Sequence, residues 1–135
     1  MSESAPQLSI IIPCYHEERR LPPTLERIRA WLSARPGTAE VIVVVDGSRD
    51  ATPQVAESMQ SSFPELRILR SEVNHGKGYS VRRGMLEARA PVALFTDADL
   101  SAPIEEAEKL FAALGEHDVA IGSRAVDRGL IEVHQ

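Results

Sequence analysis

Glu40-Val41-Ile42-Val43-Val44-Val45 sets five β-branched apolar residues in succession and gives way to Asp46-Gly47-Ser48-Arg49-Asp50, a cluster of turn formers. Side chains branched at Cβ fit a pleated surface and are stiff at χ1. An unbroken apolar run, without the alternation of a half-wetted strand, predicts burial on both faces, as in a parallel sheet. Outward from it, residues 8–12, 66–69, 91–95 and 118–121 read as further short strands. Amphipathic segments fill the intervals. Leu25, Ile28 and Leu32 follow Pro22-Pro23 at helical spacing. Val55 and Met59 follow Thr52 as N-cap, with Pro53 at the first helical position. Val81, Met85 and Leu86 mark a third helix. Ile104, Ala107, Phe111 and Leu114 mark a fourth, with Ser101 as N-cap and Glu105 and Glu106 in the first turn, where the helix dipole favours acids. Strict alternation predicts an α/β fold: an open, mainly parallel, Rossmann-like sheet with right-handed crossovers.

At 135 residues the chain reads as one domain spanning 1–135. At this size about two thirds of the unfolded surface can be buried. A net charge of −5 argues against a nucleic-acid partner, which calls for a basic stripe. A protein this acidic that handles phosphates needs a metal or a few local cations. The longest apolar stretch, residues 41–45, is far short of the ~20 residues of a membrane span. Met1-Ser2-Glu3-Ser4 carries no signal-peptide pattern, so the expectation is a cytoplasmic domain. Cys14 is the sole cysteine, which excludes an intrachain disulfide and a cysteine zinc cluster.

In such a sheet ligands bind beyond the carboxyl ends of the strands, near a switch in strand order. Four polar segments fall on that rim: Pro13-Cys14-Tyr15-His16-Glu17-Glu18, Asp46-Gly47-Ser48-Arg49-Asp50, Asn74-His75-Gly76-Lys77-Gly78 and Asp97-Ala98-Asp99. Carboxylates two residues apart at a strand end can point the same way and offer the oxygens that Mg²⁺ or Mn²⁺ prefers. Surface turns are also rich in Asp for conformational reasons alone. Lys77 between two glycines at a helix start suits an anion, and equally suits a glycine turn with a solvated lysine. The segment is not a Walker A loop, because Ser71 stands where glycine is required and Gly78 where Ser or Thr is required. His16, His75, His117 and His134 show no metal-ligand spacing and read as surface or turn histidines.

These four segments, in this order, resemble the successive motifs of family 2 glycosyltransferases with the GT-A fold. The wording Thr96-Asp97-Ala98-Asp99-Leu100-Ser101, with Ile121-Gly122-Ser123-Arg124, is most similar to the dolichyl- or polyprenyl-phosphate glucosyltransferase branch. The resemblance implies an inverting transfer of glucose from UDP-glucose to a polyprenyl or dolichyl phosphate. The neighbouring GDP-mannose-dependent mannosyltransferase branch stays open, as does a non-catalytic nucleotide-sugar-binding module. It further implies that Asp99 coordinates a Mg²⁺ or Mn²⁺ bridging the donor diphosphate, with Asp97 at the metal or the ribose. Asp46 would accept from the base N–H, Glu17 would bond near the base or ribose, and Pro13 to Tyr15 would line the base pocket. Tyr15 is as readily a core ring with its hydroxyl at the rim.

Two departures stand out. The family's first loop usually carries Asn where this chain has His16, and the second often has two aspartates where this chain has Val45-Asp46. Relatives continue into an acceptor-binding half that supplies a base and, in many lipid-phosphate branches, a membrane segment. The expectation is therefore a donor-binding portion, inactive in transfer on its own, belonging to a protein at the cytoplasmic face of a membrane. A dinucleotide-dependent oxidoreductase is the competing class, since Gly76-x-Gly78 precedes a helix and Asp97 falls ~20 residues on. Val81 at the third glycine position speaks against it.

Overall fold

The structure, a computed structural model, describes residues 6–98. Along the chain run β1 (Leu8–Cys14), α1 (Leu21–Ser33), β2 (Ala39–Asp46), α2 (Thr52–Met59), β3 (Leu66–Ser71), α3 (Lys77–Glu87) and β4 (Val92–Phe95). The strands form one sheet in the order β3-β2-β1-β4, with every pairing parallel. The expected strand at 118–121, the expected fourth helix and Asp99 lie outside the described residues.

The β2 run is buried from Glu40 to Asp46, and its alternate residues feed two cores. Val41, Val43 and Val45 join Ile10, Ile12, Leu21, Leu25, Ile28 and Phe63 on the side covered by α1 and α2. Ile42 and Val44 join Ile11 on the other side, against Met85 of α3 and Phe95. Burial on both faces is what the missing alternation predicts.

Two helices differ from expectation in instructive ways. Thr52 is the first residue of α2 and not its cap; Ala51 holds the cap position without a side-chain cap bond, and the Asp50 side chain, one residue earlier, takes the first helical N–H. Its Oδ1 accepts from the Thr52 N–H at 3.0 Å and the Thr52 hydroxyl at 2.5 Å. Pro53 then sits one position later than expected, where its missing N–H still costs nothing. In α3 the buried residues are Ser80 and Gly84, while Leu86 is 74% exposed. The helix lies so close to the sheet that a Cβ at Gly84 would stand 2.5 Å from Ile11 Cγ2. Close approach selects small residues, so of the expected apolar stripe Met85 packs on the core while Leu86 does not, and the pattern misses the small residues at the contact.

Strands β1 to β3 step in one direction and β4 returns to the far side of β1, so the order reverses between β1 and β4. The ladder between them ends early: the Ile11 carbonyl accepts from Thr96 N at 3.0 Å, and the pairing goes no further. Pro13, two residues on and facing the same neighbour, has no N–H to continue it. A crevice opens there.

Candidate functional site

The crevice widens into a cleft of about 580 Å³ lined by residues from all four rim segments. Pro13 and Cys14 end β1 and Tyr15 and Glu17 follow it, Asp46 ends β2, Asn74, Gly76, Lys77 and Ser80 come from the β3 to α3 connection and α3, and Asp97 and Ala98 follow β4. Every site residue expected from sequence within the described residues thus reaches one cavity. Asp99 lies outside them.

Asp46 is the organising group. Its side chain is 2% exposed, and its Oδ2 accepts from the backbone N–H groups of His75 at 2.6 Å and Gly76 at 2.9 Å. Oδ1 lies 2.9 Å from His75 Nδ1, and the backbone carbonyl accepts from Asn74 Nδ2 at 2.9 Å. Burial pushes its pKa up, but the bonds from the His75 ring and the two amides outweigh this and hold the carboxyl below its usual range. Three of its roughly four acceptor positions are therefore committed to the loop. Gly47, at φ 75°, is required here: a Cβ would stand 2.4 Å from Asn74 N.

The first two rim loops are laced together. His16 N donates to Ser48 Oγ at 2.9 Å, Glu17 N to Thr52 Oγ1 at 2.8 Å, and Ala51 N to Glu18 Oε1 at 2.8 Å. Asp50 also receives Glu18 N at 3.4 Å. Burial raises the Asp50 pKa, yet the bonds from Thr52 and Glu18 bring it below the usual carboxylate range. Asp50 is a positioning residue that motif reading missed, and its signal was Asp two residues before a Thr-Pro helix start. His16 has φ 57°, the left-handed region where Asn is most at home and His is also enriched. An Asn at this position, as the family resemblance leads one to expect, would suit the same backbone conformation.

Tyr15 is 48% exposed and stacks on His16 with ring centroids 3.9 Å apart, which places it on the rim and not in the core. His75, whose ring bonds Asp46, stacks on Tyr79 at 4.1 Å. Both histidines are turn residues with defined partners. Cys14 is buried, and desolvation, aided by the charges of Glu17 and Asp50, holds its thiol protonated. Glu17 pairs with Arg20 Nε at 2.7 Å. Lys77 pairs with Asp97 Oδ1, and its Nζ lies 5.8 Å from the Phe95 ring centroid.

Among the described residues no group of three or more His, Cys, Asp or Glu side chains could by itself enclose a metal ion. Asp97 nonetheless offers hard oxygen donors and already holds a cation, the Lys77 ammonium. This donor set fits a Mg²⁺ or Mn²⁺ that takes one or two carboxylates and completes its shell with phosphate oxygens and water. Among the described residues no helix is long and apolar enough to cross a membrane.

Residues 9–131 match the profile of Glycosyl transferase family 2. The chain belongs to that family. A dolichyl-phosphate beta-glucosyltransferase of Drosophila melanogaster is 42% identical over 133 residues, covering 88% of this chain and 41% of the relative. The chain therefore spans about two fifths of the curated relatives it matches. Among solved structures, a mannosyltransferase of Pyrobaculum calidifontis in complex with GDP-Man and Mn²⁺ superposes with a TM-score of 0.63 at 25% identity, over 71% of this chain and 28% of that one. TarS of S. aureus in complex with UDP gives 0.67 at 27% identity, over 82% of this chain and 32% of that one. The family 2 fold with its GT-A sheet bears out the sequence reading and sets the oxidoreductase aside.

Proposed function

We propose that this chain is the donor-binding portion of an inverting glycosyltransferase that moves glucose from UDP-glucose to a dolichyl or polyprenyl phosphate. The observation that carries the reading is the cleft at the β1/β4 switch point, where Lys77 and Asp97 face each other across the crevice. Its support comes from relatives named as dolichyl-phosphate beta-glucosyltransferases.

In this reading Pro13 and the Tyr15 ring wall the base, Glu17 bonds to the base or ribose, and Asp46 uses its remaining acceptor position on the base N–H. Lys77, at the first position of α3, meets the diphosphate with a positive charge where the helix start also favours an anion. Asp97 and Asp99 hold the divalent cation. When bound, Mg²⁺ or Mn²⁺ neutralises charge on the departing nucleoside diphosphate. An acceptor phosphate is anionic at neutral pH and asks less of a general base than a sugar hydroxyl does. The neighbour solved with GDP-Man keeps a GDP-mannose donor as the second reading.

Calorimetric titration of the full chain with UDP-glucose, GDP-mannose and NAD, each with and without Mn²⁺, tests the proposal. Mn²⁺-dependent binding of UDP-glucose in preference to the other two is expected, and it should vanish in Asp99→Asn without loss of folding. Preference for GDP-mannose moves the chain to the mannosyl branch, and binding of none of them overturns the donor role.

A further inference from the structure

The lining of the cleft is unbalanced. Among the described residues it presents three carboxylates, Glu17, Asp46 and Asp97, against one cationic side chain, Lys77. Glu17 pairs with Arg20, and Asp46 is satisfied by the loop it carries. Asp97 and Lys77 remain as the charges that confront an incoming diphosphate, and they are paired with each other.

The two partners are not alike in freedom. The Lys77 side chain is 55% exposed on a flexible four-carbon stem, whereas that of Asp97 is 23% exposed and lies two residues past the end of β4. If the pair opens, the lysine is the one that moves. The same ammonium serves two incompatible ends: while it sits on Asp97 it competes with a cation there, and when it swings to a phosphate its own pairing with Asp97 is given up. A bare dication approaching Asp97 meets this positive charge a few ångströms away, a repulsion that is not negligible even in water.

We propose that Lys77 is the resident counter-ion of Asp97, drawn off by the donor's diphosphate and only then replaced by a divalent cation, so that metal and diphosphate bind as a coupled pair. This rests on the donor-binding reading above. Linkage makes the coupling reciprocal: diphosphate raises metal affinity by the factor by which metal raises diphosphate affinity.

Mn²⁺ alone, UDP alone and the two together are titrated into wild-type chain, Lys77→Met and Lys77→Arg, with free Mn²⁺ read by electron paramagnetic resonance and UDP by calorimetry. The expected result is that Lys77→Met binds Mn²⁺ alone about tenfold more tightly than wild type, since a weak exposed pair and a repulsion are both removed. Its UDP affinity falls and the mutual enhancement of UDP and Mn²⁺ shrinks by a similar factor. Lys77→Arg, which keeps the charge, stays close to wild type with Mn²⁺ alone. Equal Mn²⁺ affinity in wild type and Lys77→Met, with Mn²⁺-dependent UDP binding intact, overturns the exchange and leaves the donor reading standing. Tight Mn²⁺ binding by Lys77→Arg also overturns it, because charge would not be the cause. Loss of Mn²⁺-dependent UDP binding already in wild type removes both.

Discussion

Strand β2 carries a buried carboxylate at each end, Glu40 at 3% and Asp46 at 2% exposure, and the two are neutralised in opposite ways. At the amino edge Glu40 is closed off by charge: Arg67 Nη1 donates at 2.8 Å and Arg89 Nε at 3.2 Å, joined by Ser9 Oγ at 2.6 Å and Arg89 N at 2.7 Å. At the carboxyl edge Asp46 is held by two backbone amides and one imidazole. Arg67 also donates to the Glu87 carbonyl at 3.1 Å, so the Glu40 cluster pins the end of α3 and the start of β4 to the sheet. Four donors saturate Glu40. Asp46, with three, opens onto the cleft. One strand thus uses the same charge to lock the fold at one end and to shape a loop of the cleft at the other.

The largest effect should come from the lock. Glu40→Ala strands two arginines, one hydroxyl and one amide around a vacancy, and both guanidiniums can still turn to water, since their side chains are 27% and 62% exposed. A loss of about 2 to 4 kcal/mol in urea unfolding is expected, below the full penalty for an orphaned buried charge. UDP affinity of the folded protein should hold. A variant that unfolds as wild type does but loses UDP would reverse the assignment of the two edges.

Asp46→Ala should do the converse. The His75 and Gly76 amides lose their acceptor, the loop carrying Asn74 and Lys77 loosens, and uridine binding weakens by about 1.5 to 3 kcal/mol as a charged hydrogen-bond system is lost. An effect confined to diphosphate-bearing ligands would place the action of Asp46 at Lys77 and not at the base. Acid sharpens the comparison. For both carboxylates burial raises the pKa, but the hydrogen bonds outweigh it and leave the folded value lowered. The unfolded chain then binds more protons, so their stabilising contribution is complete only above about pH 5, clear of the unfolded carboxyl values, and is lost as pH falls through the folded pKa values. Unfolding followed against pH should show this slope in wild type and a shallower one in Glu40→Gln.

Much of this was legible in the sequence, and the exceptions share a cause. The β-branched run of β2, the parallel order and the convergence of the four rim segments follow from local pattern and from the rule that places ligands at strand carboxyl ends. What pattern cannot carry is partnership at a distance. Glu40 meets Arg67 and Arg89 across 27 and 49 residues, and Asp46 meets His75 across 29. Nothing around Glu40 in the sequence marks those arginines. Part of the buried face of α3 was hidden because the contact with Ile11 is made by the smallness of Gly84, which a hydrophobicity count reads as a gap.

The smallest expected effect concerns backbone conformation at the cleft edge. His16 sits at φ 57° with its N–H on Ser48 Oγ, and its ring stacks on Tyr15. Asn tolerates that region more readily than His, so His16→Asn gains backbone preference and loses one ring contact. The two nearly cancel, and a change within about 0.5 kcal/mol is expected, as for a surface substitution. His16→Val has neither compensation: a β-branched side chain is strained there by about 1 to 3 kcal/mol. Thermal unfolding of the two variants separates the explanations. Should Asn destabilise as much as Val, the Tyr15 stack and not the backbone is what His16 supplies, and the cleft edge would depend on side-chain packing as the core does.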